Sequence, residues 1–216
     1  MVFFLELILL SAMVVLPDFS KVTKVTAVKF SPNSLTATKA SSRWSSASFP
    51  VENFQAYTSP FGYRRSPTGG RRWEFHSGLD IAAPHGSYIR NWWAGKVIKV
   101  GDSGRCGTHI VLKSGQWQHT YCHMVGKVEN INGRRYLVDR TGGVQIPEGQ
   151  KIPTGYRIGR VGITGRTTGP HLHWGLKFNN KHVDPAVILQ EMFSEQKIAS
   201  RPQSNLKPPK SQGMVE

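Results

Sequence analysis

The sequence predicts an all-β fold: a Gly-rich, antiparallel β-sandwich or barrel-like domain with little helix. Two observations carry the prediction. Short apolar runs rich in β-branched and aromatic residues recur with turn signals between them about every dozen residues, the spacing of sandwiches and barrels. Twenty-two glycines among 216 residues supply those turns, and the one helical pattern is short, near Pro185–Phe193.

In chain order, residues 2–16 are almost wholly apolar, broken by Glu6. The run is too short to span a bilayer comfortably and fits the hydrophobic core of a signal peptide. No Lys or Arg precedes it and no small-x-small site follows, so an uncleaved anchor, a misplaced start or a buried helix remain open. Residues 1–17 are therefore expected to be a signal peptide or N-terminal hydrophobic anchor. Residues 18–55 are rich in Ser, Thr, Lys and Ala with weak periodicity, and are expected to be a linker or poorly ordered lead-in. Residues 56–194 hold the β-type runs: "SYIRNWWAGKVIKVG", "THIVLKSGQWQHTYCHM", "RRYLVDRTGGVQI", "YRIGRVGI" and "HLHWGLKF". Residues 195–216, poor in apolar groups and rich in proline, are expected to be a disordered tail.

The net charge is +15, and most of the excess lies in the folded region. Such a surface favours polyanionic partners: nucleic acid, anionic membrane or an acidic wall polymer. No helix-turn-helix, zinc-finger or ribonucleoprotein signature accompanies it, so nucleic acid is not expected. The only cysteines are Cys106 and Cys122, which excludes a four-cysteine zinc site. They flank a hairpin turning near Ser114–Trp117, so a disulfide and free thiols are both open, with export favouring the disulfide.

Three histidine motifs concentrate the chemistry. In "TTGPHLHWGL", His171 and His173 lie two apart, so on a strand they share a face. A metal or proton-transfer site suits that pair; the alternative is one core and one surface histidine. In "EFHSGLDIAAPHG", His76 and Asp80 offer imidazole and carboxylate separated by three residues. Two His and one Asp, with water in the fourth position, compose a catalytic zinc site. In "HTYCHM", alternation puts Tyr121, His119 and His123 on one face and Cys122 on the other.

Together and in this order, the motifs resemble the lysostaphin/LytM-type zinc endopeptidases of bacterial cell walls. The matching stretches are "SPFGYRRSPTGGRRWEFHSGLDIAAPHG", "AGKVIKVG", "YCHM", "EGQKIPTGYRIGRVGITGRTTGPHLHWGL" and "DPAVIL", covering roughly residues 56–190. The resemblance implies a duplicated hybrid β motif and one zinc ion on His76, Asp80 and His173. It places His123 and His171 off the metal as the catalytic pair, sharing the roles of general base and oxyanion stabiliser. It implies hydrolysis of peptide cross-links or stems of peptidoglycan, outside the cytoplasm in the periplasm, wall or medium. Anionic wall polymers are expected as partners, with membrane contact only through an uncleaved N-terminal run. Some relatives lack their ligands and activate other hydrolases, so a non-catalytic wall-binding or activator role is the alternative; all five positions are filled here.

The remaining polar and aromatic residues have plainer expectations. His109 and His119 are expected at the surface or behind a ligand, and His182 at the surface. Trp92, Trp93, Trp117 and Trp174 are expected in the core or lining a groove. The segment after His123, "VGKVENINGRRYLVDRTGGVQIP", departs from the family pattern as an extra hairpin expected to wall the groove.

Overall fold

The computed structural model describes residues 44–67, 69 and 71–200. The expectations for 1–17, for 18–43 and for 201–216 lie outside the described residues. No described helix is long and apolar enough to cross a membrane.

Fifteen strands and one helix follow in order: β1 (Ala56–Ser59), β2 (Gly62–Arg65), β3 (Trp73–His76), β4 (Leu79–Ala82), β5 (Tyr88–Arg90), β6 (Gly95–Asp102), β7 (Thr108–Ser114), β8 (Trp117–Cys122), β9 (Lys127–Ile131), β10 (Arg134–Asp139), β11 (Val144–Pro147), β12 (Lys151–Ile152), β13 (Arg157–Arg160), β14 (His171–Phe178), β15 (Lys181–Val183) and α1 (Pro185–Ala199). The expected all-β class is observed. The principal sheet runs β1-β4-β14-β8-β7-β6-β12, with β15 added on β14. Smaller sheets are β11-β10-β9, β13-β5 and β2-β3, and every pairing is antiparallel.

Period-two alternation positions the core. Leu172, Trp174 and Leu176 of β14, Leu79 and Ile81 of β4, Ile110 and Leu112 of β7 and Tyr121 of β8 all turn inward. The opposite face of the same strands carries His171, His173 and Asp80. β9–β11 form a three-stranded meander whose Leu137, Val144 and Ile146 join the core. Trp92 and Trp174 are fully buried.

Two expectations at the ends of the domain are revised. The described part of the supposed lead-in, residues 44–55, packs onto the body: Trp44, Ala47 and Val51 are buried. Trp44 lies against Trp92, Trp93 and Trp117, with ring centroids 4.8, 5.5 and 5.4 Å away. The helix also runs past Phe193 to Ala199. Asp184 caps it by accepting from the Ala186 amide, and Pro185 opens it. Its last turns persist because they grip that segment. Glu195 accepts from the Trp44 amide, Glu191 from its indole at 3.3 Å, and Gln196 donates to Ala47 O at 2.7 Å. Contacts across some 150 residues leave no local sequence pattern.

His119 and His109, expected at the surface or behind a ligand, are buried: strand alternation places His119 on the core face with Tyr121, and His109 Nδ1 donates to Gly107 O at 2.7 Å. Its network closes on itself. Ser114 Oγ donates to Ala94 O, so His119 Nε2–H donates to Ser114 and its Nδ1 accepts from Tyr121. Tyr121 in turn accepts from the Trp92 amide. Burial pushes the His119 pKa down to about 3. The unfolded chain protonates this ring near pH 6.5 while the folded chain does not. Stability is therefore full above about pH 6.5 and falls as pH drops toward 3, by roughly a few kcal/mol from this residue alone. Urea midpoints across that window should show a shallower pH slope for His119→Gln than for the parent. An unchanged slope would place the acid sensitivity elsewhere.

Candidate metal centre

Sheet register assembles the site. In the β4–β14 pairing His173 stands directly opposite Asp80, and in β14–β8 it stands opposite Cys122. His76 ends β3 and reaches the same point across the turn into β4. Gly78 makes that turn possible: a Cβ there would lie 2.6 Å from Trp174 O and 2.8 Å from the His173 ring.

His76 Nε2 lies 2.9 Å from Asp80 Oδ1 and 2.9 Å from His173 Nδ1, and His173 Nδ1 lies 2.8 Å from Asp80 Oδ1. The far nitrogen of His76, Nδ1, donates to Pro60 O at 2.7 Å, which leaves Nε2 a lone pair in the neutral ring. Two imidazole nitrogens and a carboxylate oxygen thus converge within 4.8 Å of one another, the one such group among the described residues. Converging lone pairs call for a cation, and this donor set suits zinc with one position left open. Burial disfavours the Asp80 charge, but the His173 and His76 nitrogens 2.8 and 2.9 Å from its Oδ1 outweigh it and hold the carboxyl well below the usual range.

Arg64 was not anticipated by sequence reasoning. It donates to Asp80 Oδ2 at 3.0 Å and to Ser59 Oγ. Its other terminus lies 3.8 Å from Glu74, which Arg166 grips at 2.6 Å. Asp80 is therefore held from behind on its second oxygen, the way outer partners orient metal ligands. Arg64 is one of several arginines in its stretch, and nothing local to the sequence singles it out.

His123 corrects the alternation argument. As the next residue of a strand it would enter the core beside Tyr121. Instead β8 ends at Cys122, and His123 takes a left-handed φ of 60°, which swings its ring onto the opposite face. Such a conformation is costly for a non-glycine residue and persists where its surroundings impose it. Here the His123 amide donates to Cys106 O at 2.9 Å, its carbonyl accepts from Gly162 at 2.8 Å, and Nδ1 donates to Thr164 O at 2.8 Å. Its ring centroid lies 4.7 Å from that of His171 and 6.0 Å from that of His173. His171 Nδ1 likewise donates to Gly169 O at 2.9 Å. Each ring thus spends Nδ1–H on a backbone carbonyl, and His171 Nε2 lies 3.6 Å from Asp80 Oδ1. Burial, the largest cause, pushes the His123 pKa down to about 4, so the ring is neutral at pH 7.

Cys106 and Cys122 form a disulfide, Cα atoms 4.9 Å apart, which settles the pairing left open by the sequence. It ties the β6–β7 loop to the residue before His123, and both half-cystines line the groove. That groove, about 320 Å³, also takes in His76, Thr120, Lys177 and His182. A smaller pocket beside Asp80 and His173 is lined by Pro67, Thr167, Thr168 and His171. No residue of the β9–β11 meander lines either one, contrary to the expected wall: its apolar face is drawn into the core instead.

Comparison with known proteins gives a consistent answer. The sequence pattern of peptidase family M23 matches residues 74–185, just over half the chain. DD-carboxypeptidase/endopeptidase Mpg of Neisseria meningitidis serogroup B is 32% identical over 131 residues, 61% of this chain and 26% of that protein. Peptidoglycan DD-endopeptidase ShyA of Vibrio cholerae serotype O1 is 30% identical over 136 residues, 63% of this chain and 28% of that protein. A crystal structure of a zinc-containing peptidase from Vibrio cholerae superposes with a TM-score of 0.50 at 30% identity, over 67% of this chain and 38% of that one. The chain therefore spans little more than a quarter of the length of the two named relatives.

Proposed function

The chain belongs to peptidase family M23, and from that premise we propose that it is a zinc-dependent endopeptidase acting on the peptide cross-links or stems of peptidoglycan. His76, Asp80 and His173 would hold the ion. Zinc bound there would polarise the scissile carbonyl and bring the pKa of a water toward neutrality. The rest of the work falls to side chains. His123 and His171, each held through Nδ1 by a backbone carbonyl, stand beside the ligand cluster, and His171 Nε2 lies 3.6 Å from Asp80 Oδ1. One accepts the proton released as water adds to the carbonyl carbon and then delivers it to the amine as the C–N bond breaks. The other stands where an Nε2–H, its proton drawn from solvent, would donate to the oxygen on which charge develops. Arg64 keeps Asp80 oriented throughout.

The observation that carries this reading is the pair of imidazoles, each fixed through Nδ1 by a backbone carbonyl, next to a three-donor cluster. Two pockets open on the cluster, sharing Arg64, His123, Arg166 and His173 in their linings. The substrate class follows the named relatives, and with it an extracytoplasmic location, which also suits the disulfide. A digest of purified peptidoglycan by the zinc-loaded full-length protein, read by mass spectrometry, tests the proposal. New amine termini that vanish on chelation are expected. Intact muropeptides from a protein with confirmed zinc would reject it.

A further inference from the structure

One face of the principal sheet carries a line of cations that the metal centre does not use. Register sets it out: Lys151 of β12 lies opposite Lys96 of β6, and Lys96 lies opposite Lys113 of β7. Lys113 lies opposite Gln118 of β8, and Gln118 lies opposite Lys177 of β14. Residues directly opposite share a face, so the five side chains leave one side of the sheet in a row across five strands. At about 4.8 Å per strand the row runs roughly 19 Å. It is the side of the metal centre, because Lys177 follows His173 by four residues on one strand. Between metal row and lysine row lie the smaller Val111, Thr120 and Gly175, also in register. Thr120, Gly175 and Lys177 already line the groove beside His173. The cationic row therefore begins in the groove and leads out of it to the sheet edge.

Nothing within the fold explains the row. Lys96, Lys113 and Lys151 are exposed, and none of the four lysines pairs with an acid among the described residues. Like charges directly opposite destabilise a sheet, and this row holds two such pairs in succession. Lysine on an edge strand guards against sheet-to-sheet association. That accounts for Lys151 but not for Lys96 and Lys113, which sit on interior strands. Arg134 lies against Gly149 together with Lys96, adding charge at the edge end. The carboxylate of nearby Glu148 accepts from the Val100 amide and lies 3.7 Å from Arg135.

We infer that this lysine row is a docking track for carboxylate-bearing stem peptides of the same peptidoglycan whose peptide lies at the metal centre. The inference rests on the proposed function for the identity of the polymer. Continuity with the groove selects the occupant: an acidic chain leaving the cleavage site on this side meets a cation at nearly every strand.

The test compares the zinc-loaded full-length protein with a Lys96→Gln/Lys113→Gln/Lys151→Gln variant, whose melting temperature should equal or exceed that of the parent. Both are sedimented with sacculi stripped of other wall polymers, and with the same sacculi after amidation of their carboxyl groups. The parent should bind stripped sacculi, more weakly as salt rises, and about tenfold more weakly after amidation. The variant should bind both preparations as weakly as the parent binds the amidated one, and should cut a small soluble cross-linked peptide at the parental rate. Equal sedimentation of variant and parent on unmodified sacculi would overturn the track, as would indifference to amidation. Binding that disappears when phosphodiester polymers are stripped, or that is matched by duplex DNA at the same salt, would overturn the stem-peptide assignment. Because sedimentation is read without cleavage, a soluble peptide left intact by both proteins would count against the proposed hydrolysis and not against the track.

Discussion

Asp80→Asn should leave the protein folded, without zinc and without peptidase activity. Asp80 supplies the one negative charge among the three converging donors, and a neutral amide oxygen is a far weaker ligand for zinc. The carboxylate also stands at the centre of the cluster: His76, His173 and Arg64 all point hydrogen-bonding atoms at it. Asparagine keeps the volume, so the sheet register that aligns it with His173 survives. Metal content after dialysis should fall to near zero, and turnover by on the order of 10⁴-fold or more, since the polarised carbonyl and activated water go together. His76→Ala and His173→Ala should do the same. A variant that retains stoichiometric zinc and parental turnover would move the metal centre to other residues.

His123→Ala and His171→Ala should show the opposite pattern, with zinc kept and turnover lost. Neither ring belongs to the three-donor cluster, and each is anchored through Nδ1 to a backbone carbonyl. Removing a positioned acid–base group costs about 10²- to 10⁴-fold. The two rings, 4.7 Å apart, act on one proton inventory. The double variant should therefore fall well short of the product of the single losses. Zinc loss in His171→Ala equal to that in Asp80→Asn would show His171 to be a ligand and overturn the division of roles.

Much of the site was legible in the sequence because it depends on local periodicity. The His-x-His spacing on an apolar run, and His-x-x-x-Asp around a glycine, state which side chains share a face before any pairing is known. The same rule misplaced His123, and it did not say that the face of His119 is the core. Alternation holds only while the backbone stays extended, and His123 leaves the strand through a positive φ imposed by Cys106, Gly162 and Thr164. His119 obeys alternation, but which face of β8 is the core depends on the layers packed against it. Arg64 and Trp44 were missed for a related reason. Arg64 acts on Asp80 across the β2–β3 hairpin, and Trp44 is gripped by a helix some 150 residues on.

The sequence by itself determined the β class, the turn-separated runs and the residue types that meet at the metal centre, because backbone geometry repeats every two residues and donor chemistry is fixed by side-chain type. Only the tertiary structure decided which atoms of those residues converge, which second oxygen of Asp80 is restrained, and how His123 turns back to face His171. Those outcomes depend on strand register and on hydrogen bonds between distant segments. Register also aligned four lysines across five strands, an arrangement that positions as scattered as 96, 113, 151 and 177 do not reveal.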